Sequence, residues 1–505
     1  MSHCLLLHIF CCLCFAASEA AKLNVLLIVV DDLRPEFNRS YGQSHVKTPF
    51  LDSFAKDSLT FSRAYTQYSH CSPSRNSFLS GRSPQTTGVY NFIDDFRHSP
   101  SPDSETWVTL TEHFKHHGYW TVGAGKVFHP DRPKNNDFPK SWNDYTVKNG
   151  DDAGCAQNET IYPGVCPTKK QDDWFYDNKV AKAVMDSMAE AKAADKLFFL
   201  AAGLRRPHRP WDVPERFYAM YKKETIPLAK RKVGPTASPE LAYIHNDWPA
   251  GGYNQTKPVP DDVARYGRFG YYASVSFTDY NIGLMLNQLQ ALGLTSSTVV
   301  VITSDHGWHL GEQGEWCKRT NWELGVRVPL MIRSPRHPNT FGKTTDHLFE
   351  ILDVYKTLNR LTHASDSVQD GVEGKDLSTL FDDLHVTPPL RKYAFSQMAR
   401  CPKNDTFGPE SPCNQVERQN IPYMGFSVRT IQWRYTVWLK FDGKGNRAIW
   451  PSSNDDGCFG EELYDHEHDT GVDFDAYENE NIATVHPDVC KELFKVLRNE
   501  FSSAL

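Results

Sequence analysis

Leu23-Asn24-Val25-Leu26-Leu27-Ile28-Val29-Val30-Asp31-Asp32 is a run of eight mostly apolar residues that stops at two adjacent carboxylates. The run does not alternate apolar with polar, so it reads as a strand buried on both faces, the pattern of a parallel sheet covered by helices. Three other stretches share that shape. Tyr119 to Ala124 stops at Gly125-Lys126-Val127-Phe128-His129, Leu197 to Ala202 stops at Gly203 and then Arg205-Arg206-Pro207-His208, and Thr298 to Thr303 stops at Ser304-Asp305-His306-Gly307. Helical patterns lie between them: Pro49 to Leu59 behind Thr48-Pro49, Asp177 to Ala194, and Tyr271 to Leu294. Strand–helix alternation implies an α/β core. In open parallel sheets ligands bind at the carboxyl ends of the strands, so these polar clusters are expected to converge on one site.

The chain has 505 residues. At about 150 residues per domain that allows three domains, or one large α/β domain with an appendage. Beyond residue 386 the texture changes. Short strand-like segments at 393–397, 425–429 and 435–439 precede a final helix from Val489 to Phe501. The expected division is a catalytic α/β unit over 21–386 and a smaller α+β unit with an antiparallel sheet over 387–505, the boundary at Thr387-Pro388-Pro389. Fifty-five basic against 62 acidic side chains leave a formal charge of −7, which argues against nucleic acid as the main partner. No long like-charge run or short repeat points to disorder or a solenoid.

Leu5 to Ala17 is apolar and is followed by Ala17-Ser18-Glu19-Ala20, so residues 1–20 read as a secretory signal peptide. Its leading residues lack Lys and Arg, which leaves an N-terminal anchor as the alternative. No later run reaches the roughly 18 apolar residues of a membrane helix, so no membrane insertion is expected. Asn38, Asn158, Asn254 and Asn404 lie in N-x-S/T sequons. Cys155/Cys166 and Cys401/Cys413 each bracket a polar loop, as short-loop disulfides would. Cys458 and Cys490 can pair or stay reduced, and Cys317 has no obvious mate.

Asp31-Asp32 at one strand tip repel each other unless a cation neutralises them. Asp305 at a second tip makes an oxygen-rich cage suited to Ca²⁺ or Mg²⁺, and the His306 nitrogen leaves Mn²⁺ or Zn²⁺ open. The plainer reading is that Asp31-Asp32 caps a following helix. Pro73 suits a first helical turn and places Cys71 at a helix N-terminus, where free N–H groups favour an anion. Cys71 can then be structural, a low-pKa thiolate nucleophile, or something else.

The third possibility comes from resemblance. Cys71-Ser72-Pro73-Ser74-Arg75 resembles the C-x-P-S-R signature of sulfatases, whose cysteine is oxidised to formylglycine during secretion. Val30-Asp31-Asp32, Gly125 to Pro130, Ser304 to Gly307 and Glu462-Leu463-Tyr464-Asp465 resemble the same family in order. Asp31-Asp32-Leu33-Arg34-Pro35, Arg206-Pro207-His208, Gly314-Glu315-Trp316-Cys317-Lys318, and Tyr423 to Thr430 with Tyr435 to Trp438 resemble its iduronate 2-sulfatase branch. The resemblance runs from about residue 23 to 470. Cys317 and Arg319, flanking Lys318, depart from the branch's pattern and bear on how the leaving group is recognised.

The resemblance implies an alkaline-phosphatase-like large domain with a mostly parallel central sheet, plus a smaller C-terminal α+β domain. It implies one Ca²⁺ held by Asp31, Asp32, Asp305, His306 and the formylglycine made from Cys71, whose geminal hydroxyl attacks sulfur. Arg75 would orient that hydrate, Lys126 and Lys318 would neutralise sulfate oxygens, His208 would protonate the leaving alcohol, and His129 would help expel sulfate. The implied activity is hydrolysis of 2-O-sulfate from iduronate at the non-reducing ends of heparan and dermatan sulfate. The implied partners are this glycosaminoglycan and a formylglycine-generating enzyme. A monomer in the lysosome is expected, with secretion as the alternative. Arg206, Arg209, Arg319 and a rim Trp308 are available to a uronate carboxylate. Competing readings are a sulfatase of another sulfated sugar, a phosphoesterase of related architecture, and a non-catalytic binder of sulfated glycans.

Overall fold

A computed structural model describes residues 21–502, except 38–40, 44, 149–163, 245–248, 250–251, 403–412, 452–457 and 474. Residues 1–20, the sequons Asn38, Asn158 and Asn404, and Cys155 therefore lie outside the described residues.

Along the first part of the chain run β1 (Asn24–Val30), β2 (Leu59–Tyr65), β3 (Trp120–Gly125), β4 (Asp144–Thr146), β5 (Val165–Thr168), β6 (Phe198–Leu204) and β7 (Trp211–Pro214). Then come β8 (Thr298–Ser304), β9 (Arg327–Arg333), β10 (Lys343–Thr345) and β11 (Phe349–Glu350). Nine of these form one sheet in the order β10-β2-β9-β8-β1-β6-β3-β4, with β11 also on β2, while β5 pairs with β7. The β8-β1-β6-β3-β4 pairs are parallel, and β9 runs antiparallel to both neighbours. The mostly parallel α/β sheet expected from the four apolar runs is thus present.

β1 explains why those runs lack alternation. Leu26, Ile28 and Val30 enter a core with helix α2 (Tyr176–Ala193) and helix α3 (Asp261–Ala291). Val25, Leu27 and Val29 enter a second core with helix α1 (Cys71–Ser80) and helix α4 (Asp353–Thr362). Both faces are covered, so neither can be polar. Two helix expectations need correction. The segment from Pro49 is α-helical to Phe54 and ends as a 3-10 turn at Asp57, and Leu59 already opens β2, because tertiary pairing with β9 claims that strand. The helix expected from Tyr271 begins at Asp261, its extra first turns carrying polar residues that blur the apolar period.

The C-terminal segment forms β12 (Ala394–Arg400), β13 (Tyr423–Arg429), β14 (Trp433–Asp442), β15 (Arg447–Ala448) and β16 (Gly460–Asp465), paired antiparallel. Helix α5 (Pro487–Ser502) buries Cys490, Leu493, Phe494, Leu497 and Phe501 against this sheet. A bridge between Tyr68 and Gln397 joins it to the large unit. Cys401 and Cys413 form the expected disulfide, and Cys166 is disulfide-bonded. Cys71, Cys317, Cys458 and Cys490 are thiols. Among the described residues no helix is long and apolar enough to cross a membrane.

Candidate active site

Parallel register brings the polar clusters to one level. Val30 pairs with both Ser304 and Leu204, and Gly125 with Gly203, so Asp31, Asp305, Arg205 and Lys126 follow directly at the same edge. Lys126 N donates to Gly203 O at 2.8 Å. A Cβ on Gly203 would stand 2.0 Å from the Lys126 carbonyl carbon, so the approach of these strand ends requires glycine there. From the other side, the chain leaves β2 and begins α1 at Cys71 itself.

The result is a compact buried cluster. Asp31, Asp32, Cys71 and His306 each offer a ligand atom, all within 4.8 Å of one another. Cys71 Sγ lies 3.4 Å from Asp31 Oδ1 and 3.4 Å from His306 Nε2. Asp305 stands beside this set: its Oδ2 is 3.4 Å from His306 Nε2, and its Oδ1 accepts from Asp32 N at 3.2 Å. Lys126 Nζ pairs with Asp31, while Lys318 Nζ pairs with Asp32 and donates to Cys71 Sγ at 3.1 Å. Arg75, fully buried, spans Asp305 Oδ2 at 3.0 Å, Asp31 Oδ1 at 3.3 Å and Val127 O at 3.0 Å. His129 stands near enough to Cys71 for each to shift the other's pKa. His208 is half-buried, its Nδ1 2.6 Å from Arg209 O. Its charge is felt at Asp31.

The electrostatics follow from burial and charge together. Burial pushes the Asp31 carboxyl up, but Lys126, His208, Arg75 and Lys318 outweigh it and hold the group well below the usual carboxylate range. Asp32 goes the other way: burial dominates, Lys318 opposes it, and Asp31 adds like-charge repulsion, so its pKa is raised. Burial likewise lifts Asp305 to about 6 against the pull of Arg75. Burial and Asp31 push the Cys71 thiol up, yet Lys126, Lys318 and the neighbouring His129 bring it well below its ordinary value. His208 and His129 are both lowered, chiefly by burial. Asp32 Oδ2 is buried and accepts no hydrogen bond. A buried carboxylate oxygen without a donor, among carboxylate oxygens and one imidazole, fits a hard divalent cation.

Ser304 and His70 did not stand out in the sequence. Ser304 Oγ donates to Val30 O at 2.9 Å and accepts from Leu33 N at 3.0 Å, latching the ends of β1 and β8 behind the carboxylates. His70 and His129 both face Phe92, at ring distances of 4.2 and 4.5 Å. Their places beside Asp305 and Cys71 were the available signals. Three of the four groups offered to a uronate carboxylate are buried, Arg319 at 4% exposed among them. Arg206 is fully buried, its Nε donating to Asp212 O at 3.2 Å and its Nη1 to His208 O at 3.4 Å. Trp308 is not a rim residue: it is 3% exposed, with Lys318 Nζ 5.4 Å from its ring centroid.

The sulfatase family model matches residues 23–364, more than half of the chain. The chain belongs to the sulfatase family. Within the family it is 32% identical to mouse iduronate 2-sulfatase, over 88% of this chain and 90% of that protein. It is also 32% identical to human iduronate 2-sulfatase, over 85% and 87% respectively, so it falls on that branch. The protein is accordingly a sulfuric ester hydrolase. Its fold is shared by a phosphonate monoester hydrolase from Silicibacter pomeroyi, with TM-score 0.69, 19% identity and 95% of each chain covered. This alkaline-phosphatase-like architecture thus agrees with the sequence-based expectation.

Proposed function

We propose that this sulfatase removes 2-O-sulfate from iduronate at the non-reducing ends of heparan and dermatan sulfate. The observation that carries the reading is the packing of Asp31, Asp32, Cys71 and His306 within 4.8 Å, between Lys126 and Lys318. Identity to two iduronate 2-sulfatases over most of the chain supports the choice of sugar. Asp31, Asp32, Asp305 and His306, with position 71, would hold one Ca²⁺. Such an ion, when bound, supplies a Lewis acid that offsets the repulsion between an anionic ester and its nucleophile. Cys71, converted by a formylglycine-generating enzyme, supplies a hydrated aldehyde as nucleophile.

The chain's own residues do the rest. Lys126 and Lys318 are fixed cations aimed at sulfate oxygens, where charge develops. Arg75 holds Asp31 and Asp305 in place and orients the group at position 71. His208, on a loop stiffened by Pro207 and Pro210, gives its proton to the leaving oxygen once the bound anionic ester has offset the burial and Lys318 charge that lower its pKa, and His129 takes a proton as sulfate departs. The lysosome is the compartment we assign, with secretion as the alternative, and a monomer is the form we expect. The catalytic unit is 21–386 and the appended unit 387–505.

A second reading, a sulfatase of a different sulfated sugar, is favoured by one observation. With Arg206, Trp308 and Arg319 buried, three of the four groups considered for a uronate carboxylate are withdrawn from solvent. Side-by-side turnover of terminal 2-sulfated iduronate and terminal 6-sulfated glucosamine separates the readings. The first is expected to be cleaved; cleavage of the second alone overturns the proposal. Mass analysis of the peptide holding residue 71 tests the nucleophile, with loss of the thiol mass expected. Cys71→Ala is expected to abolish turnover, and an active variant would sink the mechanism.

A further inference from the structure

We propose that the hydroxyl of Tyr271 is a positioning group for the cation site, holding the backbone of Asp32 in the turn that presents its carboxylate. The proposal rests on the metal reading above and adds a residue that lies outside the ligand cluster itself.

Asp32 stands in a conformation that needs support. Its φ is +63°, in the left-handed region that L-residues avoid. Aspartate tolerates that region better than most residues, but such a conformation persists only where its surroundings fix it. The carboxylate it carries is closely placed. Oδ1 pairs with Lys318 and lies 3.5 Å from His306 Nε2, while Oδ2 is buried and accepts no hydrogen bond. Relaxation of the backbone to negative φ would carry both oxygens away from His306 and Cys71.

The neighbouring strands secure one side of the turn. Asp31 N donates to Leu204 O at 3.0 Å, Asp32 N to Asp305 Oδ1 at 3.2 Å and Leu33 N to Ser304 Oγ at 3.0 Å. None of these three bonds involves the Asp32 carbonyl. Tyr271 reaches it from α3, 239 positions along the chain. Its Oη donates to Asp32 O at 2.8 Å and accepts from Arg34 N at 3.0 Å. One hydroxyl therefore bridges the peptide groups on either side of Leu33. Tyr271 is buried and its ring meets Trp211 edge-on at 6.4 Å, so the hydroxyl arrives from a fixed direction. Asp32 and Arg34 are buried too, which leaves their backbone groups no water to turn to.

Tyr272, next along α3 and equally buried, is the internal control. Its Oη donates to Glu36 Oε1 at 2.8 Å and not to the turn.

Release of Ca²⁺ from the loaded full-length protein, followed by stopped flow with the fluorescent chelator quin-2, separates the two hydroxyls. Tyr271→Phe is expected to release Ca²⁺ about tenfold faster than the parent, and Tyr272→Phe at the parent rate. Hydrogen exchange needs no variant. The amides of residues 32–34 are expected to stay protected in the EDTA-treated parent, because Tyr271 holds the turn before the ion binds. Three results would each overturn the proposal: parent-rate release from Tyr271→Phe, equal acceleration in both variants, or loss of that protection when the ion is removed. A parent that binds no Ca²⁺ overturns the metal reading and this proposal together, so the two failures are told apart.

Discussion

Asp279 shows what burial does to one carboxyl in this protein. It lies on α3, is 1% exposed, and accepts Leu51 N at 2.7 Å and Phe50 N at 3.2 Å at the start of the short helix Pro49–Phe54. Burial raises its pKa to about 7, against the pull of those two donors. The unfolded chain ionises the same group near 3.8. Between these values the unfolded state binds fewer protons, so this group's contribution to stability falls as pH rises from about 4 to 7. About three pKa units correspond to about 4 kcal/mol at most. The wild-type-minus-variant stability difference for Asp279→Asn is expected to fall as pH rises across that window, read by urea denaturation at pH 4.5, 6 and 7.5. A difference that stays constant over the three would contradict it. The approach of residues 50 and 51 to Asp279 was not readable in sequence, because 228 positions separate Leu51 from its partner.

At the scale of elements, the loop bearing Lys318 is held by the C-terminal sheet. Asn321 Nδ2 donates to Gly425 O at 3.3 Å and Trp322 Nε1 to Glu462 Oε1 at 2.9 Å. Glu323 pairs with Arg434 at 2.5 Å and Arg429 at 3.2 Å, and its backbone N donates to Glu478 at 2.6 Å. Glu323, His466 and Glu478 cluster closely enough to hold a cation, but Arg429 and Arg434 already supply the positive charge. Burial pushes the Glu323 carboxyl up, and Arg429 and Arg434 overcome it to hold the pKa well down. Glu323→Gln removes one anion shared by two buried arginines, leaving Arg434 with Glu478 at 2.6 Å and Arg429 with Asp469 at 3.6 Å, a loss of up to about 3 kcal/mol. Its Tm is expected to drop and its kcat to fall as Lys318 loses its support. The exposed pair Lys182–Asp186 serves as control, where Lys182→Ala should cost no more than about 0.5 kcal/mol. Equal Tm values for Glu323→Gln and the control would refute the anchoring role. The antiparallel strands were legible from residue texture, whereas their grip on Lys318 was not.

For the whole molecule, a cation bound only by the folded cluster links activity to stability. A ligand at 100 times its Kd adds about 2.7 kcal/mol to unfolding free energy. Dialysis against EDTA is expected to lower Tm and abolish turnover together, and Ca²⁺ to restore both. Unchanged Tm and turnover after chelation would rule out the cation. The net charge of −7 describes the surface average, while the site gathers Arg75, Lys126 and Lys318 around three carboxylates.

Unbroken apolar runs ending at Asp31, Lys126 and Asp305 determined by themselves that a covered parallel sheet presents its chemistry at one edge. Pro73 likewise determined a helix beginning at position 71. Those are local facts, because strand burial and helix starts are written in neighbouring residues. Only the tertiary structure decided that Trp308 and Arg206 are buried and that Glu323 answers to Arg429 and Arg434. Each of these depends on which distant segment lands opposite a side chain, and composition and periodicity carry no record of that pairing.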